Sequence, residues 1–182
     1  MARPDIRLPA SWAHWTWLSP PRRPAHERVL REASLQLLRA HPQLAEGRFR
    51  WLPVPHCRPA FARLCRLVAA SSAAAQVRQC IGVHDRRRLT AHIGRHHLDR
   101  LQRRPPGAFD MNASIDLDDR FALTAQGLAL FVHAHQGRGM GAWYALRLPR
   151  ALSEHAQAPC LPDLPRARAC VAVALHLWRS RC

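Results

Sequence analysis

Four side chains in the middle of the 182-residue chain have the types and spacing of a tetrahedral zinc site: Cys80-x3-His84-x7-His92-x3-His96. His92 and His96 stand four apart on a predicted helix and therefore share a face. The residues between them, Ile93, Gly94 and Arg95, lack the glutamate of a metalloprotease H-E-x-x-H helix. Cys80 falls at a helix end facing the core, and His96-His97 sit in an arginine-dense surface segment that repels a dication. Solvated or partly packed histidines are expected there, and no metal. The run Gly137-Arg138-Gly139-Met140-Gly141 has the glycine density of a phosphate cradle. A dinucleotide fingerprint, however, needs a preceding strand, and a P-loop needs Gly-Lys-Ser/Thr. Here a helix precedes the loop and the lysine is missing, so the run reads as a flexible helix terminator. Asp110, Asp116, Asp118 and Asp119 lack the glycine and distal glutamate of a calcium loop, and helix capping accounts for Asp118 and Asp119. Neither a Gly-x-Ser-x-Gly elbow nor a transferable cysteine motif is present. No catalytic residue, no enzymatic activity and no cofactor are expected.

The chemistry that remains is cationic. The chain carries 28 Lys+Arg against 12 Asp+Glu, a net charge of +16, and all 28 are arginine. Guanidinium binds phosphate and carboxylate as a planar fork. The absence of lysine, beside abundant Ala and Pro and a single Tyr, is nevertheless the composition of a GC-rich genome. The densest segment is Asp85 to Arg104, with seven arginines against two aspartates, in which Arg88, His92, Arg95, Asp99 and Arg103 follow one helical face. Arg88, Arg95 and Arg103 are the candidate protein-contact residues, for an acidic protein surface, anionic lipid or nucleic acid; a solvated helix face is the plain alternative. Nucleic acid is the weaker partner. The other arginines scatter from Arg3 to Arg181, no RNP sequence or helix-turn-helix spacing is evident, and one Tyr makes no stacking ladder. Three tryptophans crowd into Trp12-Ala13-His14-Trp15-Thr16-Trp17, where they pack the N-terminus onto the helices; an exposed Trp among them would mark a binding hot spot.

Proline shows which elements position these residues. Nine of 15 prolines lie in the first 59 residues, four lie between Pro149 and Pro165, and Pro105-Pro106 divides two proline-free blocks. A single mainly α domain is expected over 1–182: a loop- and proline-rich N-terminal third over residues 1–58, a helical body 59–148, then a proline-rich connector and terminal helix 149–182. Helices are predicted from about 24 to 40, and from Pro59 with a break at Ser71–Ala75 and a left-handed stop at Gly82. Others run from Asp85, as N-cap, to about 104, over 118–136, and over 165–179. The 118–136 helix is apolar nearly all round and hence central. Alternation in Phe49-Arg50-Trp51 and Leu146-Arg147-Leu148 is too short for a sheet. Cys57, Cys65, Cys80, Cys160, Cys170 and Cys182 form no C-x-x-C pair and read mostly as small core residues in a reducing cytosol. No secretory signal and no membrane span are predicted.

Residues 63–104, from Arg63-Leu64-Cys65-Arg66-Leu67 through Gln76-Val77-Arg78-Gln79-Cys80, resemble the SctK (YscK-type) proteins of bacterial type III secretion systems. Ala125-Gln126-Gly127-Leu128-Ala129-Leu130-Phe131, Trp143 and Leu146-Arg147-Leu148-Pro149 continue the resemblance, and Pro9-Ala10-Ser11-Trp12 is similar to the family's aromatic, proline-containing start. The high charge and the C-terminal region depart from the pattern. The resemblance implies a helical, non-enzymatic adaptor of the cytosolic sorting platform. It would bridge the cytoplasmic domain of the inner-membrane ring protein, SctD, and the pod protein, SctQ. It further implies a cytoplasmic location, peripheral at the inner membrane through these partners. The alternative is an arginine-rich nucleic-acid-binding protein.

Overall fold

Helix boundaries follow proline, aspartate and glycine, and the places where they depart from sequence expectation are mostly crowded ones. The computed structural model describes residues 12–18, 26–42, 44, 54–55, 57–105, 116, 118–136, 140–155 and 161–180. A short 3-10 turn, Trp15–Trp17, precedes nine helices among the described residues: α1 (Glu27–Ala40), α2 (Arg58–Ser72), α3 (Ala74–Gln79), α4 (Val83–Ile93), α5 (Arg95–Arg103), α6 (Arg120–Ala134), α7 (Met140–Arg147), α8 (Arg150–His155) and α9 (Leu164–Arg179). The described residues contain no strand, so the chain is mainly α. None of these helices is long and apolar enough to cross a membrane.

Helices α2 and α6 cross at the centre, and α9 packs against both. α6 is buried nearly all round, as its composition predicts, and its N-terminus is capped by Asp119, whose carboxylate accepts from Phe121 N (2.7 Å) and Ala122 N (3.1 Å). α2 is equally central, with every residue from Leu64 to Ser72 buried. The small residues that interrupt its apolar stripe in the sequence are therefore interior ones. Ser71 and Ser72 donate their hydroxyls to Leu67 O (2.8 Å) and Ala69 O (2.7 Å), which satisfies them locally and competes with the helical ladder. The helix breaks at Ala73 (φ −103°, ψ 32°), giving two helices. Close approach is set by Gly127: a Cβ there would fall inside the Cys65 carbonyl oxygen. Around the crossing, Phe61, Phe131 and Tyr144 meet edge-on or stacked, with centroids 5.7, 4.6 and 5.8 Å apart. Each such ring buried contributes about 1.5–3 kcal/mol.

The N-terminal tryptophans dock as expected. Trp12 Nε1 donates to Trp143 O (2.6 Å), Trp17 Nε1 to Leu148 O (2.8 Å), and His14 N to Leu146 O (2.7 Å). Arg147 lies over the Trp12 ring at 4.2 Å and donates to Trp12 O (3.3 Å). Trp12 and Leu18 thereby join the same apolar core as Phe61 and Leu177. Trp15 alone of the three is exposed.

Several expectations need correction. The predicted 85–104 helix is two helices, α4 and α5, because Gly94 takes φ 93°, ψ 144° between them. Gly82 is extended (φ −61°, ψ 142°), not left-handed, and it is Gly82 that stands at the α4 N-cap position; Asp85 lies in the first turn. His97 is fully buried rather than at the surface, donating Nδ1–H to Ile93 O (2.8 Å) and stacking on Trp178 at 5.6 Å. The supposed connector contains α8, and Leu146-Arg147 belongs to α7. Gly141 is no flexible terminator: it sits in α7, where a Cβ would lie 2.9 Å from Val132 O. Phe49-Arg50-Trp51, Asp110, Gly137–Gly139, Cys160 and Cys182 lie outside the described residues. Of the other cysteines, Cys65 and Cys170 are buried, Cys80 is half-buried and Cys57 is exposed.

Candidate interaction surface

The three candidate contact residues belong to two helices joined at Gly94. Leu89 and Ile93 on α4 and Leu98 and Leu101 on α5 face the core, which leaves the arginine-bearing sides outward. On α4, Arg88 pairs with Asp118 in the approach to α6, and that carboxylate raises the arginine's pKa. Asp116 Oδ1 accepts from the backbone of Asp118 (2.9 Å) and Asp119 (3.2 Å), so the acidic cluster serves this turn, the Arg88 pair and the Asp119 cap. Arg86 on α4 and Arg95 on α5 both reach Asp99, at 3.4 and 3.9 Å. Arg103 is exposed, and it has no ion-pair partner among the described residues. The basic stripe is thus broken by Gly94 and interleaved with carboxylates.

Behind this surface lies a cation that residue spacing does not single out. Arg66 on α2 is 3% exposed, donating from Nε to His92 O (2.9 Å) and from Nη1 to the Thr124 hydroxyl (3.2 Å). Burial, with Arg120 and Arg63 nearby, pushes its pKa down to about 10. The His92 carbonyl is at the C-terminal end of α4, where unpaired carbonyls and the helix dipole favour a cation. Arg66 therefore ties α4 to the α2–α6 crossing. An arginine three residues after Arg63, on the apolar side of a helix, is the one local signal that marks it. The His92 ring is half-buried, and burial together with the Arg66 charge lowers its pKa.

At the turn into α4, Gln102 on α5 donates to Val77 O (3.3 Å) and Cys80 O (3.0 Å), capping α3. Just beyond, Ile81 is 84% and Val83 66% exposed, although sequence periodicity places Ile81 on the apolar stripe. On the opposite side of α5, Arg100, Arg104 and His176 rim a groove of about 490 Å³ floored by Ala172, Val173 and Leu177.

The residues considered as zinc ligands do not converge. Cys80 Sγ is spent on Gln76 O (3.3 Å), and its thiol pKa is raised by burial and by Asp85 and Asp118. His84 and His96 are exposed at the starts of different helices. Among the described residues, no three His, Cys, Asp or Glu side chains gather as a metal would require. What the surface offers chemically is paired and unpaired guanidinium beside two exposed aliphatic side chains, a combination suited to another protein's mixed surface. Compared with protein-family models, with curated proteins and with solved structures, this chain matches none.

Proposed function

We propose that the chain is a non-enzymatic adaptor of the SctK type, acting in the cytosolic sorting platform of a type III secretion system. It would bridge an SctD-like inner-membrane ring protein and an SctQ-like pod protein, and sit at the cytosolic face of the inner membrane through them. One observation carries the reading: the two segments that resemble the family, 63–104 and 125–149, fold as α2–α5 and α6–α7, and they pack on one another around the α2–α6 crossing. The interleaved charge of the α4–α5 face also suits a protein better than a phosphate array, because Asp99 and Asp118 would meet the phosphates with like charge.

Pull-down of the tagged chain from its native cell, with mass spectrometry, tests this. SctD- and SctQ-like proteins should be recovered, and Arg95→Glu with Arg103→Glu should reduce their yield while the melting temperature stays unchanged. Recovery dominated by nuclease-sensitive material, with no secretion component, would sink the adaptor and leave the nucleic-acid alternative standing.

A further inference from the structure

The corner between α3 and α4 turns two branched apolar side chains outward. Among the described residues, Ile81 at 84% and Val83 at 66% exposure stand apart from the other exposed large apolar side chains, the next of which is Phe121 at 44%. Scattered exposed aliphatics are ordinary, but two branched ones flanking a single glycine form a knob. This knob does not stabilise the fold, since neither side chain reaches the core.

It is nevertheless held in place. Gln102 Nε2 binds both Val77 O and Cys80 O, Ile81 N donates to Gln79 O (2.9 Å), and Arg86 N donates to Gly82 O (3.0 Å). The Asp85 carboxylate folds over Gly82, within 3.1 Å of where a Cβ would be. A corner braced from both sides loses little conformational freedom when it docks.

Its surroundings specify the partner. Val83 and Arg87 are four apart on α4 and so share a face. Arg87 is exposed, with no ion-pair partner among the described residues. A second copy of this chain is disfavoured by the +16 charge that each would bring. Nucleic acid, whose outer surface is phosphate and sugar, offers two exposed aliphatic side chains no apolar pocket to fill, and burying them is what such an anchor gains. The knob also lacks the aromatic residues that anchor proteins in the bilayer interface.

We infer that Ile81 and Val83, with Arg87, form an anchor that enters an apolar pocket rimmed by carboxylates on an acidic protein partner. This rests on the adaptor reading only for the partner's name, because the chemistry of the corner stands without it.

The test places a photo-crosslinking residue at exposed Gln79, beside the knob, and in a control at exposed Gln136, in the native cell. The protein joined at Gln79 is identified, purified and titrated against the full-length chain and its Ile81→Ser/Val83→Ser variant. One acidic protein should be captured at Gln79 and not at Gln136. Its affinity should fall about thirtyfold in the double variant, the loss of a hot-spot pair, with no change in melting temperature. If that protein is SctD- or SctQ-like, both inferences hold. An unrelated acidic protein that shows the same loss keeps the anchor and overturns the adaptor. No adduct, an adduct with lipid or nucleic acid, or a captured protein that binds the double variant as tightly as the wild type overturns the anchor.

Discussion

At the α2–α6 crossing, Arg66 is shut away from water and bonded to a carbonyl and a hydroxyl, while on the α4–α5 face Arg88, Arg86 and Arg95 stand in water and meet carboxylates. Glycine divides the same way. Gly127 lets two backbones touch, whereas Gly82 faces only the movable Asp85 side chain. The same residue types therefore carry structural weight in one region and little in the other. Burial is what decides: an interior guanidinium has no water to replace a lost partner, and an interior backbone has no room to shift. The exposed ion pairs are screened and entropically costly, and each contributes little to stability. That leaves the outer face free to vary at little cost to the fold.

The sharpest way to break this contrast is a pair of alanine substitutions. Gly127→Ala forces a methyl group into the Cys65 carbonyl, and the helices must separate, at a cost of about 3 kcal/mol. Gly82→Ala meets only the movable Asp85 carboxylate at 3.1 Å, at an extended φ that alanine adopts freely, so the expected loss is about 1 kcal/mol, that of a poorer N-cap. Urea midpoints for the two variants check this, and equal midpoints would remove the distinction between crossing and face.

Arg66→Met comes next in size. Methionine keeps much of the volume but leaves the His92 carbonyl without its buried donor and removes the Thr124 contact, so the expected loss is about 1–3 kcal/mol. Because the site is shielded from ions, the loss should be the same at low and high salt, unlike any effect of the surface arginines. Arg66→Lys should not restore stability, since an ammonium on a flexible stem cannot span both acceptors as the fork does. Urea titrations in low and high salt decide it; rescue by lysine would show that charge alone matters there.

What is legible in the sequence, and what is hidden, follows the same division. Apolar periodicity and proline placement locate α1, α2, α6 and α9 to within a few residues, because burial of an apolar stripe is a local pattern. The Asp119 cap and the docked tryptophans are legible for a similar reason, polar caps and large rings having few alternative uses. Gly94 does not announce a break because hydrophobic spacing runs in phase across it from Leu89 and Ile93 to Leu101, and only the backbone at φ 93° reveals the turn. The partner of Arg66, His92 O, is a main-chain atom that no residue type announces; His97 falls at the helical spacing of Ile93 and Leu101, and only its bond to Ile93 O is hidden in the same way. Ile81 mimics a core residue because its spacing from Val77 continues the stripe, while the chain leaves the helix at Cys80. Of the candidate contacts, the surface position of Arg88, Arg95 and Arg103 is legible, but their division between two helices and their carboxylate partners are not.

The smallest effect is expected at the seam between the two regions. The His92 ring is half-buried, and its pKa is held below the ordinary 6.5, first by burial and then by the Arg66 charge. His41 is lowered too, by burial and by Arg150. A histidine with a depressed folded-state pKa binds its proton first in the unfolded chain, so the unfolded state takes up more protons as pH falls. Stability is therefore full above the unfolded pKa and is lost as pH drops from 6.5 through the folded value. Between about pH 7 and pH 5.5, just above the usual carboxylate range, the urea midpoint should decline. His92→Gln should make that decline shallower, because glutamine keeps the backbone carbonyl for Arg66 but takes up no proton. Arg66→Met should also flatten the slope at His92, since the repelling charge is gone, even as it lowers stability at every pH. A His92→Gln midpoint that falls as steeply as wild type would show that His92 takes no part in the decline, and an unchanged slope in Arg66→Met would show that the interior cation does not reach across the seam. The crossing and the face would then be electrostatically independent.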